Sequence, residues 1–366
     1  MDNSYPKRVV FVQKFVPHYR LPFFERIRDE LSRRGVEFLL IYGKPDPYEG
    51  SKVKMVYPDW GKQVNSKIIR VAGRFLYWQG ALFSLRRGDM VVVEHAAKLL
   101  DNYFLYAASR LRLVGYGYFG HGENFQTRHE LGVSMWVKKR MLLKVTRWFA
   151  YTEISRQSLI SQGMDDAGIT VVNNTLLPPE NTFSELSKIV NRFVYIGGLY
   201  TDKRLDLILG GASLVAKQIE NFELHIIGAG PLSPLVEEKA AKHSWCHYHG
   251  SLYGDERNRL LAISDGLLMP GLVGLVAVDS FFFRCPILTS HAGQHSPEVA
   301  YLSDGQNALF DDESGDEKSY AELILRYIRE PGLKGRLQKG CAASADRYSL
   351  DQMVQNFCDG IGKCQT

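Results

Sequence analysis

Short runs of aliphatic and β-branched residues recur along the chain, each followed by a segment with helical spacing. RVVFVQKF precedes FFERIRDELSRRG, VEFLLIYG stands next, DMVVVEHA precedes KLLDNYFLYAASRL, and RLVGYGYF precedes SMWVKKRMLLKVTRWF. Strands this uniformly apolar leave no face for solvent, which predicts parallel sheets covered by helices on both sides. The pattern then restarts: RFVYIGG with LDLILGGASLVAKQI, FELHIIGAG with PLVEEKAAKH, CHYHGSL with DERNRLLAIS, and DGLLMPG with LVAVDSFFF, closing on PILTS. Between the two series, VVNNTLLPPENTFSELSKIVNR loses its periodicity and gathers Asn, Pro and Ser, so residues 176–191 read as a linker. The expected architecture is α/β, with two Rossmann-like doubly wound domains at 1–175 and 192–345. A helix at about 346–366 is expected to pack back on the first domain. Ligands of such sheets bind at the C-terminal strand ends, which are expected to face one interdomain cleft.

Length supports the division, because 366 residues exceed what a single core usually organises. No run of about 18 uncharged apolar residues predicts a membrane span, and the N-terminal residues enter a strand-like run without a signal peptide's cleavage region, so a cytoplasmic location is expected. The five cysteines are scattered and odd in number, which argues for reduced thiols. Charge is uneven: residues 1–185 carry 27 Lys and Arg against 18 Asp and Glu, and the remainder carries 18 against 22. The basic half predicts a polyanionic neighbour. Zinc-finger spacing, an RNP-like sequence and a long Lys/Arg run are all missing, so nucleic acid is not expected, and anionic lipid or a phosphorylated substrate fits better. In SMWVKKRMLLKVTRWF, Trp136, Trp148 and Phe149 with Lys138, Lys139, Arg140, Lys144 and Arg147 make either a buried face with a basic rim or an interfacial patch for a membrane surface.

Three strand-glycine-helix junctions in the second half have the form of a phosphate site. In FVYIGGLYTDKRLDLIL a strand ends at Gly197 and Gly198, and Lys203 and Arg204 stand where a helix begins, so the segment is either a tight turn or an anion cradle. HIIGAGPL repeats the shape with Gly228, Gly230 and Pro231. In MPGLVGLVAVDSFFFRCP, the loop of Gly271, Val273 and Gly274 leads to a helix expected at 275–283, with N–H groups at its start and Asp279 one turn inside. An ionised Asp279 there needs a polar partner. KHSWCHYHG offers His243, Cys246, His247 and His249, but a short strand is needed here, and its alternating side chains cannot all converge on zinc, so no metal site is expected.

Taken in order, IGGLYTDKRLDLIL, HIIGAGPL, CHYHGSL, PGLVGLVAVDSFFFRCPILTS and HSPEVAYLSDGQNALF resemble the C-terminal domain of glycosyltransferase family 4, retaining enzymes of the GT-B fold. FVPHYRLPFFERI, FGHGENFQTR and TEISRQSLISQGMDDAGITVVNNT agree more loosely with its N-terminal domain. The resemblance implies sugar transfer from a UDP- or GDP-linked donor to a saccharide or polyprenyl-diphosphate-linked acceptor of bacterial surface polysaccharide, with retention, no required cofactor and no metal. It places the phosphate-binding Lys on Lys203, the phosphate loop on Gly271 to Leu275, the ribose-binding acid on Asp279, a family Glu on Glu298, and the sugar-contacting histidine on His121. Glu94 and Glu123 stand either as helpers in proton transfer or as hydrogen-bonded structural acids, and His18, Tyr19 and Arg20 follow the first strand where acceptors bind. The chain departs from the pattern at Gly198, where an Arg is usual and Arg204 is the candidate substitute, and at Gly271, where an acid is usual. Asp279 is one methylene shorter than the usual Glu. A GT-B scaffold without catalysis, acting as a binding or assembly partner, is therefore the competing expectation, while an epimerase or phosphorylase has no signature beyond the shared fold.

Overall fold

Each apolar run becomes a strand hydrogen-bonded in parallel to its neighbours. The computed structural model describes residues 5–45, 54–71, 74–96, 98–122, 141, 143–179, 183, 185–312 and 314–364. Two units are resolved, Met1–Leu177 with Leu350–Thr366, and Pro178–Ser349.

In the first unit, β1 (Arg8–Gln13), β2 (Glu37–Tyr42), β3 (Lys62–Gln63), β4 (Met90–Glu94), β5 (Gly115–Gly120), β6 (Arg147–Ala150) and β7 (Ile169–Val171) form one sheet in the order β3-β2-β1-β4-β5-β6-β7. Residues 9–12 of β1 are each no more than 1% exposed, so both faces of the sheet are covered, as the uninterrupted apolar run requires. Phe11, Phe119 and Phe149 pack with α1 (Leu21–Arg33) on one face, while Val10, Val12, Val91 and Trp148 pack with α2 (Asp101–Arg110) and α3 (Glu153–Ser161) on the other. At the N-terminal edge Arg8 Nε donates to Asp89 Oδ1 at 2.9 Å, a buried pair that ties β1 to the start of β4.

The second unit repeats the plan. β8 (Ile189–Ile196), β9 (Glu223–Ile227), β10 (Cys246–Tyr248), β11 (Ser264–Leu268), β12 (Ile287–Thr289) and β13 (Ala308–Phe310) are ordered β10-β9-β8-β11-β12-β13. Around them lie α4 (Leu205–Ala216), α5 (Ser233–Lys242), α6 (Gly254–Ile263), α7 (Val276–Phe282), α8 (Glu317–Arg329) and α9 (Leu333–Arg347). Strand order reverses beside the first strand in both units, between β1 and β4 and between β8 and β11, which is where open parallel sheets bind ligands.

The last helix, α10 (Leu350–Gly362), belongs to the first unit. Leu350, Met353, Val354, Phe357, Cys358 and Ile361 follow helical spacing and close the core over Phe11, Phe23, Phe24, Phe119 and Phe149. The expected helix at 346–366 is thus shorter, because α9 continues to Arg347 and Tyr348 stacks on Tyr301 at 4.0 Å before the chain turns. The expected linker at 176–191 also ends early. Ile189 to Asn191 are strand, since Ile189 pairs with Ser264 and the Asn191 N–H donates to Asp265 Oδ2 at 2.8 Å.

A further difference concerns the basic segment. Its end is β6 rather than helix: Trp148 and Phe149 are buried on opposite faces, and the buried Arg147 donates to Thr170 Oγ1 and to the Lys363 carbonyl, each at 3.2 Å. Trp148 and Phe149 thus belong to a buried face, Arg147 forms no surface rim, Lys144 is exposed, and Trp136, Lys138, Lys139 and Arg140 lie outside the described residues. All five cysteines are buried free thiols. No helix among the described residues is long and apolar enough to cross a membrane.

Because Phe357 is fully buried, 4.6 Å from Phe149 and 5.7 Å from Phe23 between ring centroids, Phe357→Ala leaves a cavity at the centre of the first unit. Urea denaturation is expected to show a loss of about 3–5 kcal/mol in that unit's transition.

Candidate functional site

At the switch point of the second unit, backbone meets backbone. β8 runs into Gly197, and a β-carbon at Gly228 would stand 1.8 Å from the Gly197 carbonyl oxygen, at a φ of +142° that favours glycine. The Gly197 N–H donates to the Ile227 carbonyl at 3.1 Å, and the Leu199 N–H to the Ala229 carbonyl at 3.1 Å. Gly230 is equally confined, with its β-carbon position 2.5 Å from the Leu199 carbonyl oxygen. Close contact between the two loops therefore accounts for Gly228 and Gly230. At Gly198 the neighbour is the Tyr200 ring, 2.4 Å from where a β-carbon would be, so Tyr200 fills the space a side chain at 198 would take.

Lys203 closes a single turn, Thr201–Lys203, before Arg204 opens α4 in the left-handed region at φ +55°. Its Nζ crosses the switch point and donates to the Leu272 carbonyl at 2.7 Å. Burial pushes the Lys203 pKa down to about 8, since removal from water disfavours the charged form. Leu272 is itself left-handed, at φ +46°, and its N–H donates to the Gln294 carbonyl at 2.7 Å. Next to it the Val273 N–H donates to His295 Nδ1 at 3.3 Å, and His295 Nε2–H donates to the Ser290 carbonyl at 2.8 Å. The two bonds select the neutral Nε2–H tautomer of His295, and burial lowers its pKa in the same sense.

Gly271 lies against the turn that carries Lys203: a β-carbon there would be 2.5 Å from the Asp202 carbonyl oxygen and 3.2 Å from Arg204 Cγ. Any side chain at 271 must displace this turn. Gly274 has room, its nearest neighbour being Ser296 Oγ at 3.7 Å. Arg204 turns away from the loop: Nε lies 3.1 Å from both Asp206 carboxylate oxygens, and Nη2 donates to the Gly315 carbonyl at 3.0 Å.

The helix expected at 275–283 is α7, one residue shorter at each end, with Leu275 as its N-cap. Asp279 is buried, and its partner comes from the chain itself: Arg257, on α6, donates to Oδ2. Burial raises the Asp279 pKa and Arg257 opposes the rise. Glu298 is buried in the turn Pro297–Tyr301, directly after Ser296, whose N–H donates to the Val273 carbonyl at 3.1 Å.

In the first unit, His121 follows β5 at its C-terminal end and sits edge-on to Tyr151, 4.6 Å between ring centroids. Arg20, in the turn His18–Arg20, is buried and donates to Asn174 Oδ1 at 2.8 Å, with its guanidinium 5.4 Å from the Tyr151 ring. Arg20 thus braces the segments that follow β6 and β7. His18 Nδ1 lies 3.2 Å from the Lys54 carbonyl oxygen, and Tyr19 is exposed. Glu94, at the end of β4, accepts from Gln13 Nε2 at 3.1 Å. Glu123 lies outside the described residues. Local spacing does not reveal Arg257, His295, Tyr151 or Asn174. The buried acid at 279 is the one signal that calls for a cation such as Arg257.

Residues 190–330 match the family model described as Glycosyl transferases group 1. No curated protein matches the chain. Among solved structures, Anabaena HepE in complex with UDP is 12% identical at a TM-score of 0.68, covering 96% of this chain and 98% of that one. S. aureus TarM, crystallised as a G117R mutant with fondaparinux, alpha-GlcNAc-glycerol and UDP, is 10% identical at 0.65, covering 97% and 99%. The lipopolysaccharide outer core galactosyltransferase WaaB in its apo form is 12% identical at 0.65, also covering 97% and 99%. With two Rossmann-like units of this strand order, the fold is GT-B.

The contrast between two glycines of one loop gives a direct check on this packing. Gly271→Ala is expected to destabilise the second unit by about 1–3 kcal/mol in denaturant titrations, whereas Gly274→Ala stays within about 0.5 kcal/mol of the parent.

Proposed function

We propose that this protein is a retaining, metal-independent glycosyltransferase that moves a sugar from a nucleotide-sugar donor to a saccharide or lipid-linked acceptor in bacterial surface polysaccharide synthesis. The observation that carries the reading is the half-buried Lys203 ammonium, held by the Leu272 carbonyl at the switch point of a unit that matches the group 1 glycosyltransferase model. HepE and TarM, of the same fold, were crystallised with UDP, which supports a uridine nucleotide sugar as donor, and WaaB acts in lipopolysaccharide synthesis, which supports a surface-polysaccharide acceptor. A cytoplasmic protein lying on the inner membrane face suits such an acceptor and the excess positive charge of the first 185 residues.

The leaving nucleoside diphosphate gains negative charge as the glycosidic bond breaks. An ammonium in a water-poor site stabilises that charge more strongly than the ground state, which lowers the barrier. The loop of Gly271, Val273, Gly274 and Leu275 gives the diphosphate its backbone contacts. Asp279, steadied by Arg257 at Oδ2, accepts from the ribose hydroxyls. His121 takes the sugar, with Tyr19 and His18 toward the acceptor, and the leaving phosphate receives the acceptor's proton as the new bond forms.

The competing reading, a scaffold that has lost catalysis, is favoured by one observation: the 202–204 turn occupies the space of a side chain at Gly271. A panel of UDP- and GDP-sugars with lipid-linked acceptors separates the two, and absence of both donor binding and turnover across the panel would leave the scaffold.

Lys203→Ala is expected to lower kcat/KM by roughly 10²–10³ and to weaken UDP binding in calorimetry. Since the charged form of Lys203 is lost above about pH 8, UDP affinity is highest below that value and falls as pH rises through it. The falling limb disappears in Lys203→Ala.

A further inference from the structure

Glu223 and His225 are two residues apart on β9, and β10 pairs with it in parallel with His247 opposite His225. Side chains alternate along a strand, so Glu223, His225, His247 and His249 leave the sheet on one face. Cys246 and Tyr248 take the other face, where the Tyr248 hydroxyl donates to the Gly228 carbonyl at 3.0 Å and lies 3.2 Å from Ser233 Oγ of α5. The alternation that keeps Cys246 from joining the histidines is thus what brings His247 and His249 together, and the neighbouring strand supplies the remaining donors.

On the histidine face, His225 Nε2 lies 3.3 Å from Glu223 Oε2, and its Nδ1 lies 2.9 Å from His249 Nε2. The His247 ring stacks on His225 at 4.6 Å between centroids. One ligand atom each from Glu223, His225 and His247 can be chosen so that all lie within 4.8 Å of one another. Around a tetrahedral ion with metal–nitrogen and metal–oxygen distances of about 2.0–2.1 Å, neighbouring ligand atoms stand roughly 3.3 Å apart. The Glu223–His225 pair already meets that separation, and a side-chain rotation at the part-exposed His247 brings in the third donor.

We propose that Glu223, His225 and His247 bind a divalent transition-metal ion such as Zn²⁺. The donor set of two imidazoles and one carboxylate selects a borderline cation over Mg²⁺ or Ca²⁺. His249 is the positioning residue: by accepting the Nδ1–H of His225 it turns the Nε2 lone pair toward the ion. Arg192, paired with Glu223 in register, holds the carboxylate through Nε at 2.6 Å. β10 is the edge strand of its sheet, which leaves a route for the ion from solvent. Its bound state fastens this edge to β9 just ahead of Gly250, whose carbonyl accepts the Gly228 N–H at 2.7 Å. The site is therefore structural, and it stands or falls independently of the glycosyltransferase reading.

The test uses the full-length protein, freed of metal with a chelator and titrated with Zn²⁺ by calorimetry and with Co²⁺ by its visible d–d absorption. One ion per chain is expected, together with a rise in melting temperature on adding Zn²⁺. His247→Gln and His225→Gln abolish binding, and His249→Gln weakens it about 10-fold. His243→Gln, at the end of α5 where the ring stacks on Trp245, leaves binding unchanged. Far-UV circular dichroism of His247→Gln, whose side chain is part-exposed, separates loss of the site from loss of fold. Absence of saturable binding to the parent protein, or the same binding in a correctly folded His247→Gln, would overturn the proposal.

Discussion

The central constraint on the second unit is the approach of two main-chain segments at its switch point, closer than any side chain permits. Gly271 lies beneath the Asp202 carbonyl, and the Lys203 ammonium spans the same junction to the Leu272 carbonyl. Much of the surrounding structure follows from that approach. Leu272 takes a left-handed conformation to turn its carbonyl to the ammonium, Gln294 and His295 take up the N–H groups of 272 and 273, and Ser296 bonds back to Val273. A glycine at 271 is a requirement of this backbone.

Buried charge is handled differently at the two ends of the sheets. Arg8 and Asp89 form a pair at the N-terminal edge of the first sheet, and Lys334 with Asp265 does the same at the start of β11. Both pairs hold strands in place, and both are closed circuits of opposite charge. Among the described residues no carboxylate forms an ion pair with Lys203, whose ammonium rests on a neutral carbonyl at a C-terminal strand end. Desolvation without a counter-charge is an unfavourable state for an ammonium, and a bound anion relieves it. The same logic gives Asp279 its place: Arg257 satisfies it in advance, so the carboxylate is held in position.

The strands and most helices were legible because strands buried on both faces leave an unmistakable apolar signature, and α10 was legible from its apolar spacing. What failed were elements fixed by distant partners. RWF follows a basic helical pattern yet is strand, because Trp148 and Phe149 have cores on either side of the sheet. Residues 189–191, beside a run of Asn, Pro and Ser, are strand because β11 receives them. In the site, Lys203 and the 271–275 loop were legible from glycines beside strand ends. Arg20 reaching Asn174, 154 positions away, and Arg257 reaching Asp279 across two elements were not, since nothing short of the fold joins them. The histidine face is hidden in the sequence for a related reason: Glu223 and His225 lie on one strand, and His247 and His249 belong to the next.

The return of α10 to the first unit also sets an order of events for the growing polypeptide. Residues up to Leu177 leave the ribosome early, but Phe11, Phe23, Phe119 and Phe149 lack their contacts with Phe357 until residue 350 and beyond have been made. At about 5–20 residues per second, the intervening stretch takes on the order of ten to thirty seconds to synthesise. The second unit lies wholly within that stretch and can fold first, while the earlier half waits for the helix that completes its core. Until α10 is made, the core on that face of the first sheet lacks the apolar side chains that complete it.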